Sequence, residues 1–239
     1  MILLEFNKVM KRFRRNMVLK GISFRIKEGE IFGLVGRSGC GKSTLLRIIM
    51  GMMRPNSGQI LFEGGMVWSK LRYLRKNTGF APQGNTLFNE LSIYENAMFF
   101  GKLYGVDKDV LKKRFDELVS LLGLNGFEKY FVSLLSGGMK KRANLLVSLI
   151  HGPKLLILDE PTVGLDSILR GSLWKYIKKI NKEGTTILVT SHLLNEIEEN
   201  CDRVAIIKDG AIETIVTIQE YKKVYGNKNL SEIFKEVMK

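Results

Sequence analysis

The chain has 239 residues, 45% of them hydrophobic and 26% charged, the balance of a globular protein with a sizeable core. Four prolines and two cysteines, Cys40 and Cys201, exclude a collagen-like or mucin-like chain and a disulfide scaffold, and the two cysteines read as reduced thiols. Lys and Arg number 38 against 24 Asp and Glu, and a net charge of +14 favours anionic partners such as nucleic acid, lipid headgroups or nucleotides.

The N-terminus, MILLEFNKVMKRFRR, holds Glu5 inside its apolar run and its basic cluster after it, the wrong order for a signal peptide. No stretch approaches the roughly 18 apolar residues of a membrane span, so a cytosolic protein is expected. ILLEF and GISFRI alternate apolar and polar residues, as half-buried antiparallel strands do. EIFGLV (30–35) reads as a buried strand and runs straight into GRSGCGKST and the apolar helix TLLRIIM. From Tyr94 to His151 the strand signal fades. There VLKKRFDELVSLLGL places Val110, Leu111, Phe115, Leu118, Leu121 and Leu122 at helical spacing. LLILD (155–159) and TILVT (186–190) are further strands, and RVAIIKDGAIE (203–213) predicts a hairpin turning at Asp209-Gly210. The basic residues cluster at 11–15, 72–76, 112–114 and 140–142, as solvated helix faces or, alternatively, as a nucleic-acid stripe.

The alternation of strands and helices predicts an α/β fold with a mostly parallel sheet. An antiparallel β subdomain is expected at its N-terminus and an inserted α-helical subdomain in its middle. Residues 1–88 and 152–220 would form the core, 89–151 the helical insertion and 221–239 a helical tail, all within one domain of 1–239.

Gly36 to Thr44 matches G-x-x-x-x-G-K-[ST] in the context the motif requires, after a strand and opening a helix. Gly36, Gly39 and Gly41 let the backbone around Arg37, Ser38 and Cys40 turn its N–H groups toward phosphate oxygens. The helix N-terminus adds its positive dipole end. Lys42 can reach the β- and γ-phosphates, and the Ser43 hydroxyl can ligate Mg²⁺. A P-loop also needs a carboxylate at the end of a buried strand. KLLILDEPT supplies Asp159 for the metal and Glu160 as base for an attacking water.

LLSGGMKKRANLLVSLIHGP, Leu134 to Pro153, resembles the signature segment of ATP-binding-cassette (ABC) ATPases. Read for itself, Ser136 is a helix N-cap, Leu145, Leu146 and Leu149 are an apolar stripe, and His151-Gly152-Pro153 ends the helix. With Gly137 and Gly138 it forms a second open helix N-terminus, which in the family faces the ATP held by a partner subunit. Further features fall in the family's order. Phe13 resembles the aromatic that stacks on adenine, Gln83 in GFAPQ the Gln loop near Mg²⁺, Asp166 in VGLD the D-loop, and His192 in TSH the switch histidine near the γ-phosphate. The resemblance runs from about Leu3 to Glu213. Two positions depart or vary: Met139 stands where Gln is commonest, and Val163 precedes the D-loop.

The resemblance implies a P-loop NTPase with a RecA-like core that binds ATP and Mg²⁺, dimerises around two ATP and hydrolyses them. The LSGGMKKR form, with FAPQ, LSIYEN and LYGV, is similar to the subfamily that serves ABC-2-type exporters. It implies an integral membrane permease, a second copy or paralogous ATPase, and a peripheral place on the cytoplasmic face of the membrane. Leu87, Phe88, Leu91 and Ile93, after Gln83, are candidate permease contacts or core residues. The alternative is a soluble ABC ATPase acting on nucleic acid or ribosomes. Such proteins carry coiled-coil insertions or two cassettes, and neither is present here, so no specific nucleic acid is expected.

Overall fold

A computed structural model describes residues 1–220 and 230–238. In chain order the first half forms β1 (Ile2–Phe13), β2 (Asn16–Lys27), β3 (Ile31–Val35), α1 (Lys42–Ile49), β4 (Ser57–Phe62), β5 (Gly65–Met66), α2 (Leu71–Lys76), β6 (Thr78–Ala81) and α3 (Ile93–Leu103). The second half forms α4 (Lys108–Leu121), α5 (Gly137–Leu149), β7 (Leu155–Asp159), α6 (Ser167–Lys182), β8 (Thr186–Ser191), α7 (Leu194–Asn200), β9 (Arg203–Lys208), β10 (Ala211–Thr217) and α8 (Leu230–Met238). Residues 221–229 and 239 of the expected tail lie outside the described residues. The contacts divide the chain into one compact unit of Met1–Arg75 with Thr186–Lys239, and another of Lys76–Thr185.

In the first unit, β1 pairs antiparallel with β2 and with β4, and β4 with β5, giving the expected antiparallel subdomain. β3 pairs in parallel with β8 and β9, and β9 turns into antiparallel β10. The turn is where the sequence puts it: Asp209 and Gly210 hold φ of 47° and 84°, as a two-residue hairpin of matching twist requires. Alternation on β1 and β2 buries Phe6 and Phe24, whose rings stack at 4.1 Å, and Phe24 stacks on Phe32 of β3 at 5.3 Å. Burying each such ring stabilises the unit by about 1.5–3 kcal/mol. β3 is buried throughout, so the loop it feeds starts from a rigid strand.

In the second unit, β6 and β7 pair in parallel, and α3, α4 and α5 pack together with α5 against β6. α3 starts at a capping box between Ser92 and Glu95, and Asp107 caps α4. Leu111, Phe115, Leu118 and Leu122 are buried as the helical spacing predicts. Val110 is not: it stands exposed in the first turn of α4, and Val119 takes its place in the core. α5 departs from the expected single stripe. Residues 143–149 are all buried, Asn144 and Ser148 together with the leucines.

In the basic clusters Arg12, Arg14, Arg15, Arg72, Lys76, Lys112 and Lys113 are exposed, as a solvated face expects, while other cations are turned onto carbonyls. Lys11 donates to the Arg54 carbonyl, Arg75 to that of Gly51, and Arg114 to those of Leu149 and Ile150. Lys140, Lys141 and Arg142 donate to the carbonyls of Ser133, Gln83, and Leu122 with Gly123. A cation spent on an internal carbonyl ties two segments together, and the run at 140–142 is therefore neither a solvated face nor a nucleic-acid stripe.

Candidate nucleotide site

The phosphate loop belongs to the first unit. Gly36 leaves β3 beside β9, where any Cβ would collide with the Ile207 carbonyl oxygen and the Cys40 sulfur, so only glycine fits. Gly39 and Gly41 hold φ of 81° and 110°, in the region glycine alone enters freely. Gly41 is the N-cap of α1, makes no side-chain cap, and no acid stands in the first turn. The first N–H groups of α1 are thus left without a side-chain acceptor from the cap, in a field that favours an anion.

Lys42 is only 8% exposed. Its ammonium donates to the Gly36 and Arg37 carbonyls at 2.7 and 3.1 Å, holding the charge inside the loop. Ser43 and Thr44 follow, with Ser43 exposed. Burial pushes the Cys40 thiol pKa up, and the nearby Lys42 charge offsets this only in part, which suits a packing residue rather than a nucleophile. A cleft of about 460 Å³ opens beside the loop, lined by Arg37, Ser38, Gly39 and Cys40, the start of β2, and the β9–β10 turn. Phe13 closes β1 three residues before the lining begins. It is 42% exposed, and the Lys11 ammonium lies over one face of its ring, 5.3 Å from the centre. His192 follows β8 and is exposed, where the buried Ser191 hydroxyl accepts from the Leu193 N–H at 3.0 Å.

The second unit carries the carboxylates and the other glycine-rich helix start. β7 ends at Asp159, and Glu160 then takes φ 49°, a left-handed backbone that costs a non-glycine residue about 1–3 kcal/mol and points to a functional constraint. Gln83 is exposed in the loop after β6, and its carbonyl accepts from Lys141 at 2.6 Å. Burial lowers the Lys141 pKa, while Asp159 and Glu160 act to raise it, so a cation stands within the field of both acids. Ser136 caps α5 as the sequence predicts, its hydroxyl accepting from the Met139 N–H at 3.3 Å. Gly137 is open, and a Cβ on Gly138 would press on Leu169. Asp166 caps α6, accepting from Ile168 and Leu169 at 3.0 and 2.9 Å, a local role the sequence reading did not give it.

Among the candidate permease contacts, Leu87 and Ile93 are core residues, at 6% and 0% exposure. Leu91 is half-buried. Phe88 is exposed and packs with Phe99 and Phe100 at 5.3 and 5.9 Å, an aromatic patch on the second unit. The sequence reading missed Asn96, which is buried and shapes this patch. Its amide donates to the Phe88 and Ser92 carbonyls and accepts from the Phe88 N–H, pinning the loop that presents Phe88. A polar residue inside the apolar pattern of α3 was the available signal.

Comparison with known proteins supports this reading. The ABC transporter family profile matches residues 19–163. The linearmycin resistance ATP-binding protein LnrL of Bacillus subtilis is 39% identical over 90% of this chain and 69% of that protein. The Nod factor export ATP-binding protein I of Burkholderia lata is 36% identical over 87% of this chain and 68% of that protein. Among solved structures, an ATP-binding cassette in a dimeric post-hydrolysis state with ADP and Pi superposes with a TM-score of 0.81 at 26% identity, over 90% of this chain and 99% of that one.

Proposed function

Because the chain belongs to the ABC transporter family, as an ATP-binding ATPase of that family, we propose that two copies of it, or one copy and a paralogous ATPase, close around two ATP to drive an exporter whose permease is of the ABC-2 type. The observation that carries this reading is the pairing, in one sequence, of an uncapped helix N-terminus holding a buried lysine with a second glycine-flanked helix N-terminus. One such chain offers each once, so both meet one ATP when two chains associate head to tail.

In this mechanism the loop N–H groups of 36–44 and Lys42 hold the β- and γ-phosphates, and Phe13 takes the adenine on its open face. Ser43, Asp159 and Gln83 offer oxygen donors of the kind Mg²⁺ accepts beside phosphate. On this reading the ion would arrive with the nucleotide. Mg²⁺ would neutralise charge on the β- and γ-phosphates. Glu160 accepts the proton of the attacking water, and His192 steadies the γ-phosphate. Ser136, Gly137 and Gly138 present the N-terminus of α5 to the γ-phosphate of ATP held by the other copy, and Asp166 keeps the start of α6 in place beside that interface.

Among the described residues no helix is long and apolar enough to cross a membrane. On this reading the permease holds the ATPase at the cytoplasmic face of the membrane. Residues 89–151 would be the helical subdomain that the permease moves, with 1–88 and 152–220 as the catalytic core. The Phe88 patch is the proposed dock. The test is isolation of the tagged chain from membranes of its own cells: a polytopic membrane protein should co-purify, and Phe88→Glu should release it while ATP binding by the free chain persists. Equal recovery with Phe88→Glu would remove the patch from this role.

A further inference from the structure

Three side chains on one face of α5 reach the segment that carries Gln83. Lys141, Asn144 and Ser148 are spaced i, i+3, i+7 and so stand above one another along the helix. Ser148 Oγ lies 2.9 Å from the Phe80 carbonyl and 2.8 Å from the Asn144 carbonyl of its own helix, and its one proton is shared between them. Asn144 Oδ1 accepts from the Thr86 hydroxyl at 2.8 Å, and its amide nitrogen lies 3.5 Å from the Gly84 carbonyl. Lys141 donates to the Gln83 carbonyl at 2.6 Å. Together the contacts span Phe80 to Thr86, from the end of β6 through the Gln83 loop.

Two features mark this as a built connection. Asn144 is 4% exposed in a helix whose buried neighbours are Ala143, Leu145, Leu146 and Val147. An amide there is costly unless its partners are fixed, and a leucine would otherwise serve. Gly79 on β6 also allows the approach: a Cβ on it would overlap the Ser148 carbonyl oxygen, so strand and helix meet backbone to backbone. Beyond Ala81 the sheet ladder stops.

We infer that Asn144, with Lys141 and Ser148, is a positioning rail that fixes the Gln83 loop to the glycine-flanked helix, so that Gln83 and Ser136–Gly138 move as one body. The three residues act through the loop and touch no substrate. The inference rests on the reading of Gln83 and of the α5 N-terminus given above. It adds a route: displacement of the loop after Gln83 by a docked partner is delivered along α5 to its N-terminus, because the rail leaves the loop no separate freedom.

The experiment compares the full-length wild type with Asn144→Ala, Thr86→Val and the double variant. Amide exchange in 83–87 should quicken about tenfold in either single variant, and the double should be no faster than Asn144→Ala, which already removes the Thr86 bond. ATP turnover should fall by about the same factor while the KM for ATP stays within about twofold, because the phosphate loop is untouched. Lys141→Arg, which keeps a donor, should retain turnover that Lys141→Met loses. Unchanged exchange at 83–87 overturns the rail. Faster exchange with wild-type turnover overturns its positioning role. Thr86→Val keeps the test decisive if Asn144→Ala fails to fold, since Thr86 lies at the surface. Failure of the wild type to bind ATP would strike the functional reading instead, and exchange would still report on the rail.

Discussion

The N-termini of α1 and α5 are both flanked by glycines and both suited to phosphate, yet they are built in opposite ways. At α1 the cap is Gly41, with no side-chain bond to the helix, and the adjacent Lys42 brings a buried cation to the same point. At α5 the Ser136 hydroxyl already occupies one N–H, and the three cations that follow, Lys140, Lys141 and Arg142, are committed to carbonyls elsewhere. The first end thus has both an uncapped helix N-terminus and a cation of its own. The second offers a helix dipole and a few donors with no cation of its own, worth about 0.3–1 kcal/mol in water. On the proposed reading it engages an anion that is already held, which is what a site completed by association requires.

The largest effect should come from separating holding from cleaving. Glu160→Gln removes the proposed base and leaves both helix ends intact, so turnover should fall by about 10²–10⁴ while ATP binding persists. The same variant should convert to a dimer on adding ATP, as read by light scattering. A monomer with ATP saturating the phosphate loop would break the view that the α5 end works in association with a second copy. Lys42→Ala strikes the first end alone. It deletes a charge-assisted contact of about 1.5–3 kcal/mol, so ATP affinity should weaken about ten- to a hundredfold by calorimetry. An unchanged affinity would mean the two ends are not unequal after all.

Much of this was legible in the sequence because it is contiguous. The phosphate loop, the Ser136 cap and the Asp209-Gly210 turn each depend on residues within a few positions of one another, and backbone chemistry fixes them. What was hidden depends on partners far apart in the chain. Lys141 meets a carbonyl 58 residues away, and nothing in MKKR tells a clamp from a solvated lysine. Leu87 and Ile93 look as free as Phe88 in the sequence. Only the packing of the second unit decides that two are core and one is surface. Val110 failed for a local reason: it lies on the solvent side of the first turn of α4, whose next residue, Leu111, is fully buried.

Ser136→Ala should sharpen the contrast at lower cost. Loss of a cap removes about 1 kcal/mol of stability. ATP affinity of the single chain should be unchanged, since α1 is unaffected, while ATP-dependent pairing of the Glu160→Gln background should weaken. Weakened binding by the single chain would show that the two ends share one ligand within one copy.

The last effect concerns how α5 is anchored at its far end, and near neutral pH it is small, growing only as pH falls. Arg114 takes the carbonyls of Leu149 and Ile150, and His151 stacks on Tyr104 at 3.8 Å with Nε2 3.2 Å from the Thr78 carbonyl. A carbonyl only accepts, so Nε2 carries a proton. Burial lowers the His151 pKa from 6.5 to about 4, the Thr78 carbonyl opposing and the Arg114 charge reinforcing the fall. The sign follows by linkage. Between pH 6.5 and about 4 the unfolded chain binds a proton that the folded chain refuses, so stability is lost as pH falls through that window and the loss stops below it. The full difference is at most about 3 kcal/mol. His151→Phe keeps the stack and removes the titration. Above pH 7 it should be less stable than wild type by about 1 kcal/mol, for the lost bond to Thr78. The gap should close and then reverse as pH falls toward 4.5, read by urea unfolding at each pH. Parallel curves across that range would show that the far end of α5 is set by Arg114 and packing, with no part played by the neutral imidazole.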